Sequence, residues 1–173
     1  MKKVKIRMLL VVMTLSLSIA MAQEAAVTLE FDNSTNARDI VLKYIKALQE
    51  GDVTTMSAQL ATNAMVYGLG GGLDSLNVAQ HTDYYTNSTM NYTHSISQDL
   101  YLPVKVENNW NQGEWVLTWG TNTLTNKKTG NTITIPYHTV NLLQDGKIIM
   151  MRYYYDMLNV LETQGFAVIV PAE

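Results

Sequence analysis

The chain lacks cysteine entirely, and its 173 residues include only three histidines and three prolines. The absence of cysteine excludes a disulfide framework, a thiolate nucleophile and a zinc site with cysteine ligands. Charged residues make up 16% of the chain, whereas apolar residues make up 47%. That balance is typical of a folded globular domain and not of a disordered chain.

The first 22 residues have the pattern of a secretory signal peptide. Four basic residues precede position 8, and an uncharged apolar stretch of about 14 residues ends at Ala20-Met21-Ala22. That stretch is shorter than the roughly 20 residues that a membrane-spanning helix needs. We therefore predict cleavage before Gln23, a periplasmic or secreted product, and no stable membrane anchor after cleavage. The alternative is an uncleaved anchor.

Cleavage would change the charge of the chain. Eight basic residues would remain against all fifteen acidic residues, which gives a net charge of −7. A surface of that charge repels phosphate backbones, so we predict no nucleic-acid partner. The remaining 151 residues suit a single domain that needs no disulfide or metal to fold. Residues 23–35 precede the first helix signal and are expected to form a flexible leader.

Helix signals occupy the first half of the mature chain. Asn36 is a candidate cap for an amphipathic helix that Gly51 would end. Asp52 can cap a second, shorter helix, and Asn77 with Gln80 forms a capping-box pair for a third. The three helices are expected at 36–51, 52–60 and 77–88.

From Tyr92 onward the apolar period changes from helical to two, which predicts antiparallel strands. Three turn signals separate four strands, and the last of them, Asp145-Gly146, is a strong hairpin signal. A short closing helix is expected over 158–164.

One of these strands changes parity. Ile133 and Ile135 are apolar at odd positions, whereas Val140 and Leu142 are apolar at even positions. We interpret the change as a β-bulge near Pro136, because a regular strand would not keep both sets on the core side. Such a bulge would bend the sheet and turn His138 onto the buried side.

Three helices followed by a bent antiparallel sheet resemble the nuclear transport factor 2-like superfamily and its SnoaL-like domains. The motifs that carry the resemblance are the 41–52 segment VLKYIKALQEGD, Asp145-Gly146-Lys147-Ile148, Tyr154-Tyr155-Asp156, and Leu161 with Gly165. The resemblance spans 36–166, which leaves 167–173 as a C-terminal tail. It implies an α+β fold in which a cone-shaped, strongly curved antiparallel sheet wraps around the N-terminal helix, with two further short helices. It also implies an apolar pocket and dimers formed through the outer sheet face.

The last strand of the predicted sheet alternates cleanly. We place its apolar set inward, namely Ile149, Met151, Tyr153 and Tyr155. This leaves Arg152 and Asp156 on the outer face or rim. With the opposite parity, Arg152 and Asp156 would instead put a cation and an acid on one wall of the pocket. We expect His81 to pack in the core and His94 to be exposed. The three histidines include no closely spaced pair that would start a metal site, so we predict no metal and no cofactor.

Two functions are compatible with these residues. The favoured one is an exported homodimeric domain that binds a small apolar or aromatic molecule through side chains with large apolar faces and polar tips. The alternative is a cofactor-independent isomerase, dehydratase or cyclase in which His138 or Asp156 is the general base. The predicted ligand-binding residues are Tyr44, Tyr67, Trp115, Trp119, His138, Tyr153 and Tyr155.

Overall fold

The computed structural model describes residues 26–70, 74–167 and 169, so the predicted signal peptide lies outside the described residues. These residues form an α+β fold in which helices pack against a single sheet. The helices are α1 (Ser34–Glu50), α2 (Val53–Ser57), α3 (Val78–Asn91) and α4 (Met157–Thr163). The strands are β1 (Ala26–Thr28), β2 (Leu60–Tyr67), β3 (Ser75–Asn77), β4 (Tyr92–Glu107), β5 (Gly113–Asn126), β6 (Thr132–Gln144) and β7 (Lys147–Tyr155).

The strands form one curved sheet in the order β1-β4-β5-β6-β7-β2-β3. Neighbours are antiparallel except β2 and β7, which run parallel, so the sheet is mixed and not purely antiparallel as predicted. The long strands β4 to β7 curve around α1, and the predicted cone-shaped sheet around an N-terminal helix is confirmed. The parallel pair brings β2 beside the last strand and closes the cone on that side.

Helix α1 fills the cone because its apolar residues recur every three or four positions. It ends, as predicted, at Gly51, whose φ of 71° is the left-handed conformation that glycine adopts at low cost. The helix begins at Ser34, two residues before the predicted cap Asn36. Ala26–Thr28 pair with β4, so part of the predicted leader is an ordered edge strand.

The caps of the next two helices match the sequence prediction. The Asp52 carboxylate accepts a hydrogen bond from the Thr55 amide at 2.9 Å, and Asn77 and Gln80 form both bonds of a capping box. Helix α2 is shorter than predicted, because the chain enters β2 at Leu60. Helix α3 continues to Asn91, directly before β4.

The predicted bulge near Pro136 is wrong. Strands β5 and β6 pair without a break from the Thr125 and Thr132 pair to the Glu114 and Leu143 pair. Odd-numbered residues of β6 therefore face the interior throughout, and even-numbered residues, His138 among them, face outward. The register shifts of the long strands lie elsewhere, between Ser97 and Leu100 of β4 and between β6 and β7 near Leu142.

Two polar residues of β6 account for the mistaken parity. Thr139 and Asn141 are buried on the inner face, where the Thr139 hydroxyl and the Asn141 amide nitrogen are hydrogen-bonded, although Oδ1 of Asn141 has no partner among the described residues. The hydroxyls of Thr139 and Thr118 lie 2.6 Å apart, and the Asn141 amide donates to the Val116 carbonyl at 2.8 Å. Paired in this way, polar side chains occupy positions that alternation alone assigns to apolar ones.

Candidate functional site

A cavity of about 410 Å³ lies inside the cone, between the inner face of the sheet, α1, the C-terminal half of α3, and α4. Its aliphatic wall comes mainly from Ile45, Leu48, Ile96, Leu124, Ile133 and Ile135. Its tyrosines are Tyr84, Tyr85, Tyr92, Tyr137, Tyr153 and Tyr155. Among the described residues that line it there is no aspartate, glutamate, lysine or arginine. The wall is therefore apolar and aromatic, with a few uncharged polar groups.

Three tyrosine hydroxyls form a hydrogen-bonded chain that leads from the cavity wall into the core. The Tyr85 hydroxyl donates to that of Tyr153 at 3.1 Å, and the Tyr153 and Tyr44 hydroxyls lie 2.9 Å apart. The Tyr44 hydroxyl lies 2.7 Å from Nε2 of His81. Burial raises the pKa of all three tyrosines well above the usual value, so their hydroxyls stay protonated.

His81 lies behind this chain, in the core, as predicted. The side chain is fully buried, and burial lowers its pKa to about 4. The imidazole is therefore neutral at physiological pH. It does not line the cavity and packs behind Tyr85, which does, with the two ring centroids 4.9 Å apart.

His94 lines the cavity, and the prediction that it is exposed is wrong. It is only 7% exposed, with Nε2 at 3.0 Å from the Ser88 hydroxyl and Nδ1 at 3.1 Å from the Asn122 amide nitrogen. Burial lowers its pKa, although the bond to Asn122 opposes that shift. The sequence carries a signal that was missed: Tyr92, His94 and Ile96 alternate with three small hydroxyl residues at the start of β4.

Tyr137 reaches across the wall from β6 to β5. An added Cβ at its partner Gly120 would lie 2.9 Å from the Tyr137 hydroxyl, so the ring fits only because residue 120 has no side chain. Within the described part of the chain, this buried hydroxyl has no hydrogen-bond partner. Burial, followed by the nearby charge of Asp99, raises its pKa to about 12.

The closing strand has the predicted parity from Met151 onward, whereas at its start Ile148 is fully buried and Ile149, predicted to point inward, is half-buried beside the register shift. Tyr153 and Tyr155 face inward and line the cavity, whereas Arg152 faces outward. The Tyr155 hydroxyl donates to the Leu69 carbonyl at 2.7 Å, which ties the strand to the glycine-rich loop after β2. Tyr44, also a predicted ligand-binding residue, lies behind Tyr153 and reaches the cavity only through that hydroxyl.

Besides Tyr44, four other predicted ligand-binding residues lie outside the cavity. His138 and Trp119 are paired across β5 and β6 on the outer face, where their rings stack with centroids 4.8 Å apart. Trp115 shares that face, and Tyr67 packs under the Arg152 guanidinium at 4.7 Å. For the residues of β5 and β6 the physical reason is the unbroken register of this pair, which fixes opposite faces for neighbouring residues along each strand. Tyr67 lies beside the outward-facing Arg152 because the two residues are partners in the parallel pair.

Asp156, the other candidate base, is also outside the cavity wall. It ends β7 and caps α4, accepting a hydrogen bond from the Asn159 amide at 3.1 Å. The arrangement with Arg152 and Asp156 on an inner wall is therefore not adopted. Neither of the two predicted catalytic candidates lines the cavity.

The described residues contain no group of three histidine, aspartate or glutamate side chains that could hold a metal ion. None of their helices combines the length and apolar character needed to cross a membrane.

The architecture matches solved structures, although no protein-family model and no curated protein matches the chain by sequence. An LEH-like epoxide hydrolase from M. tuberculosis is 17% identical with a TM-score of 0.61, over 76% of this chain and 90% of that one. A ketosteroid isomerase-like protein from Erwinia carotovora atroseptica is 14% identical with a TM-score of 0.60, over 73% and 98%. A third match, a nuclear transport factor 2-like protein from Burkholderia xenovorans LB400, is 18% identical with a TM-score of 0.58, over 75% of this chain and 96% of that one. At such low identity these matches establish the fold alone.

Proposed function

We propose that this chain, which has the nuclear transport factor 2-like fold, binds a small uncharged molecule with an apolar or aromatic body inside the cone. The observation that carries the proposal is the cavity of about 410 Å³ whose described lining has no charged side chain. A charged ligand would lose its hydration there without gaining an ionic partner. An apolar ligand would gain free energy from leaving water.

The state of the polar groups supports the same ligand chemistry. The hydroxyls of Tyr85 and Tyr153 are bonded to each other, so these side chains offer their ring faces to a guest. Burial also lowers the pKa of His94, so the imidazole adds no charge near neutral pH. Flat apolar molecules with a small number of polar groups suit such a site.

A matched pair of fluorescent probes tests this proposal on residues 23–173. N-phenyl-1-naphthylamine is neutral, and 8-anilinonaphthalene-1-sulfonate has the same ring system with one negative charge. We expect the neutral probe to saturate a single site. The affinity of the sulfonate should be lower by a factor of about ten or more. Equal affinity for the two probes would contradict an uncharged cavity.

Two neighbouring residues of β6 locate the probe. Ile135→Trp places a large ring in the cavity and is expected to abolish binding of the neutral probe. Thr134→Trp makes a change of similar size on the exposed outer side of the same strand and is expected to preserve binding. If both variants bind like the parent chain, the cavity is not the probe site. Native mass spectrometry of the purified protein would also report any molecule that co-purifies.

Export is part of the proposed function, because the sequence of residues 1–22 has the composition of a cleaved signal. The ligand would then be met in the periplasm or outside the cell. N-terminal sequencing of the protein recovered from the periplasm or medium is expected to begin at Gln23. An intact N-terminus in the membrane fraction would overturn this part of the proposal.

We also propose a homodimer through the outer sheet face. Three large side chains there lie at one level of the sheet and remain exposed, namely Leu100 of β4 at 58%, Trp119 of β5 at 40% and Tyr154 of β7 at 51%. His138 of β6 lies between the last two. A contiguous apolar patch on a sheet face is typical of a protein–protein interface. Sedimentation equilibrium is expected to give twice the mass of one chain.

A second candidate function is proton transfer with His94 as the base, favoured by the position of this imidazole on the cavity wall. Both ring nitrogens are hydrogen-bonded, so a proton from the ligand would have to pass through the Ser88 hydroxyl. The test follows deuterium exchange at the acidic C–H groups of 2-tetralone by NMR. Acceleration by the parent chain that is lost in His94→Gln would support it, and an unaccelerated rate would leave binding alone.

A further inference from the structure

Three polar side chains form a continuous hydrogen-bonded row along one wall of the cavity. Ser88 comes from the last turn of α3, His94 from β4 and Asn122 from β5. The Ser88 hydroxyl lies 3.0 Å from Nε2 of His94, and the Asn122 amide nitrogen lies 3.1 Å from Nδ1. All three residues line the cavity, and we call them the polar row.

The protons of the polar row can be counted. A neutral imidazole carries one N–H, so it donates at one nitrogen and accepts at the other. If Nδ1 accepts from the Asn122 amide, Nε2 carries the proton and donates to the Ser88 oxygen. This leaves Oδ1 of Asn122, which is buried and has no partner among the described residues, as an acceptor. It also leaves the Ser88 hydroxyl proton as a donor.

The count has the same result when the Asn122 amide is turned over. Oδ1 then accepts from Nδ1–H, and Nε2 accepts from the Ser88 hydroxyl. The amide nitrogen of Asn122 is now the unused donor, and the Ser88 oxygen keeps an unused lone pair. In both arrangements one end of the row offers a donor and the other end an acceptor, on opposite sides of the imidazole ring, and the Asn122 end keeps one further amide N–H.

We propose that the polar row selects a neutral ligand that carries a hydrogen-bond donor and an acceptor across a ring, as a hydroxyaryl ketone does. The ligand's hydroxyl would donate to one end of the row while its carbonyl accepts from the other, with the ring between them against the apolar wall. This inference rests on the proposed binding function, because it assumes that the guest occupies the cavity. A single hydroxyl would serve only one end, since the imidazole ring separates the two.

Three compounds on one bicyclic scaffold test the inference by calorimetry near neutral pH. They are 6-hydroxy-1-tetralone with donor and acceptor, 6-methoxy-1-tetralone without the donor, and 5,6,7,8-tetrahydro-2-naphthol without the carbonyl. We expect the first compound to bind about fivefold more tightly than each of the others, as one added net hydrogen bond predicts.

Variants of the two ends identify the groups responsible. Ser88→Ala removes one end and is expected to abolish the advantage of 6-hydroxy-1-tetralone over one of the two other compounds. Asn122→Leu removes the other end and is expected to abolish its advantage over the remaining compound. Ser95→Ala, an exposed residue beside His94 on β4, is the matched control and should leave both ratios unchanged.

The outcomes separate this inference from the function on which it rests. If the three compounds bind equally well, the polar row does not select the ligand, and apolar binding stands. If none of them binds, the proposed function fails together with the inference. Unchanged ratios in Ser88→Ala would overturn the inference even if Asn122→Leu does not fold.

Discussion

The two faces of the curved sheet are both rich in aromatic and aliphatic residues, yet the aromatic side chains differ in burial and in the contacts that they make. On the inner face, tyrosine hydroxyls bond to one another and to His81, and the side chains are buried. On the outer face, Trp119, His138 and Tyr154 stack ring on ring and remain open to contact. Residue type therefore does not say which face is the interior of this protein. The register of the strands does.

The largest expected effect is on the free energy of unfolding, and it appears when two consecutive residues of β7 are each replaced by alanine. Ile148 is fully buried in the core, whereas Ile149 is half-buried where the register to β6 shifts. Ile148→Ala is expected to lower the free energy of unfolding by about 2–5 kcal/mol, because it removes packing and leaves a cavity. Ile149→Ala should cost about 1 kcal/mol. Urea denaturation measures both, and equal losses would contradict the assignment of the inner face.

The second effect is a pH dependence of the inner face. Burial lowers the pKa of His81 from 6.5 to about 4, so between these values the unfolded chain takes up a proton that the folded chain does not. The free energy of unfolding should therefore fall by about 3 kcal/mol as the pH drops from about 6.5 to 4.

His81→Gln tests whether this loss belongs to the imidazole. Gln cannot titrate, and its amide can still bond to the Tyr44 hydroxyl, so the variant should show a smaller decrease in stability over the same pH range. Urea unfolding at several pH values gives the slopes for the two proteins. Identical slopes would assign the acid sensitivity to other groups.

The third effect concerns the outer face. If the chain dimerises there, Trp119→Glu should weaken the dimer by about 2 kcal/mol, or roughly thirtyfold in Kd, because it buries a charge where an aromatic anchor lay. Trp110→Glu is the control, since Trp110 lies outside the strands and is 91% exposed. Light scattering over a dilution series compares the two. Dissociation in both variants would argue against a specific interface.

The smallest effect tests the contact between Arg152 and Tyr67 at the edge of the outer face. The guanidinium lies 4.7 Å from the ring centroid, and a cation–π contact at an exposed site contributes about 0.5–1 kcal/mol. Arg152→Met keeps much of the side-chain volume and should lower the stability by no more than that. Thermal unfolding would detect it, and a loss several times larger would mean that Arg152 has an inner-face role.

The helices and the closing strand could be predicted because their signals are local. The capping box of Asn77 and Gln80, the cap at Asp52 and the stop at Gly51 each depend on a few neighbouring residues. The inward parity of Tyr153 and Tyr155 followed from simple alternation. The parallel pairing of β2 with β7 could not be predicted in this way, because it joins segments that lie about 85 residues apart.

The site was harder to predict because two requirements compete along β6. Val140 and Leu142 are apolar on the outer side, while Thr139 and Asn141 are polar on the inner side, where the Thr139 hydroxyl and the Asn141 amide nitrogen are hydrogen-bonded. The alternation of apolar and polar residues then does not identify the inner face of β6, and for that reason the sequence wrongly predicts an inward His138. The burial of His94 was not predicted, although the residues around it alternate clearly, because one of its two partners, Asn122, lies 28 residues away on another strand.

The presence of glycine at position 120 has a consequence for the size of ligand that the protein admits. A methyl group there would collide with the Tyr137 ring, which could relieve the overlap only by tilting away from β5. A single added carbon atom at this position would therefore reduce the volume of the cavity. Relatives that carry alanine at this point would be expected to accept slimmer molecules.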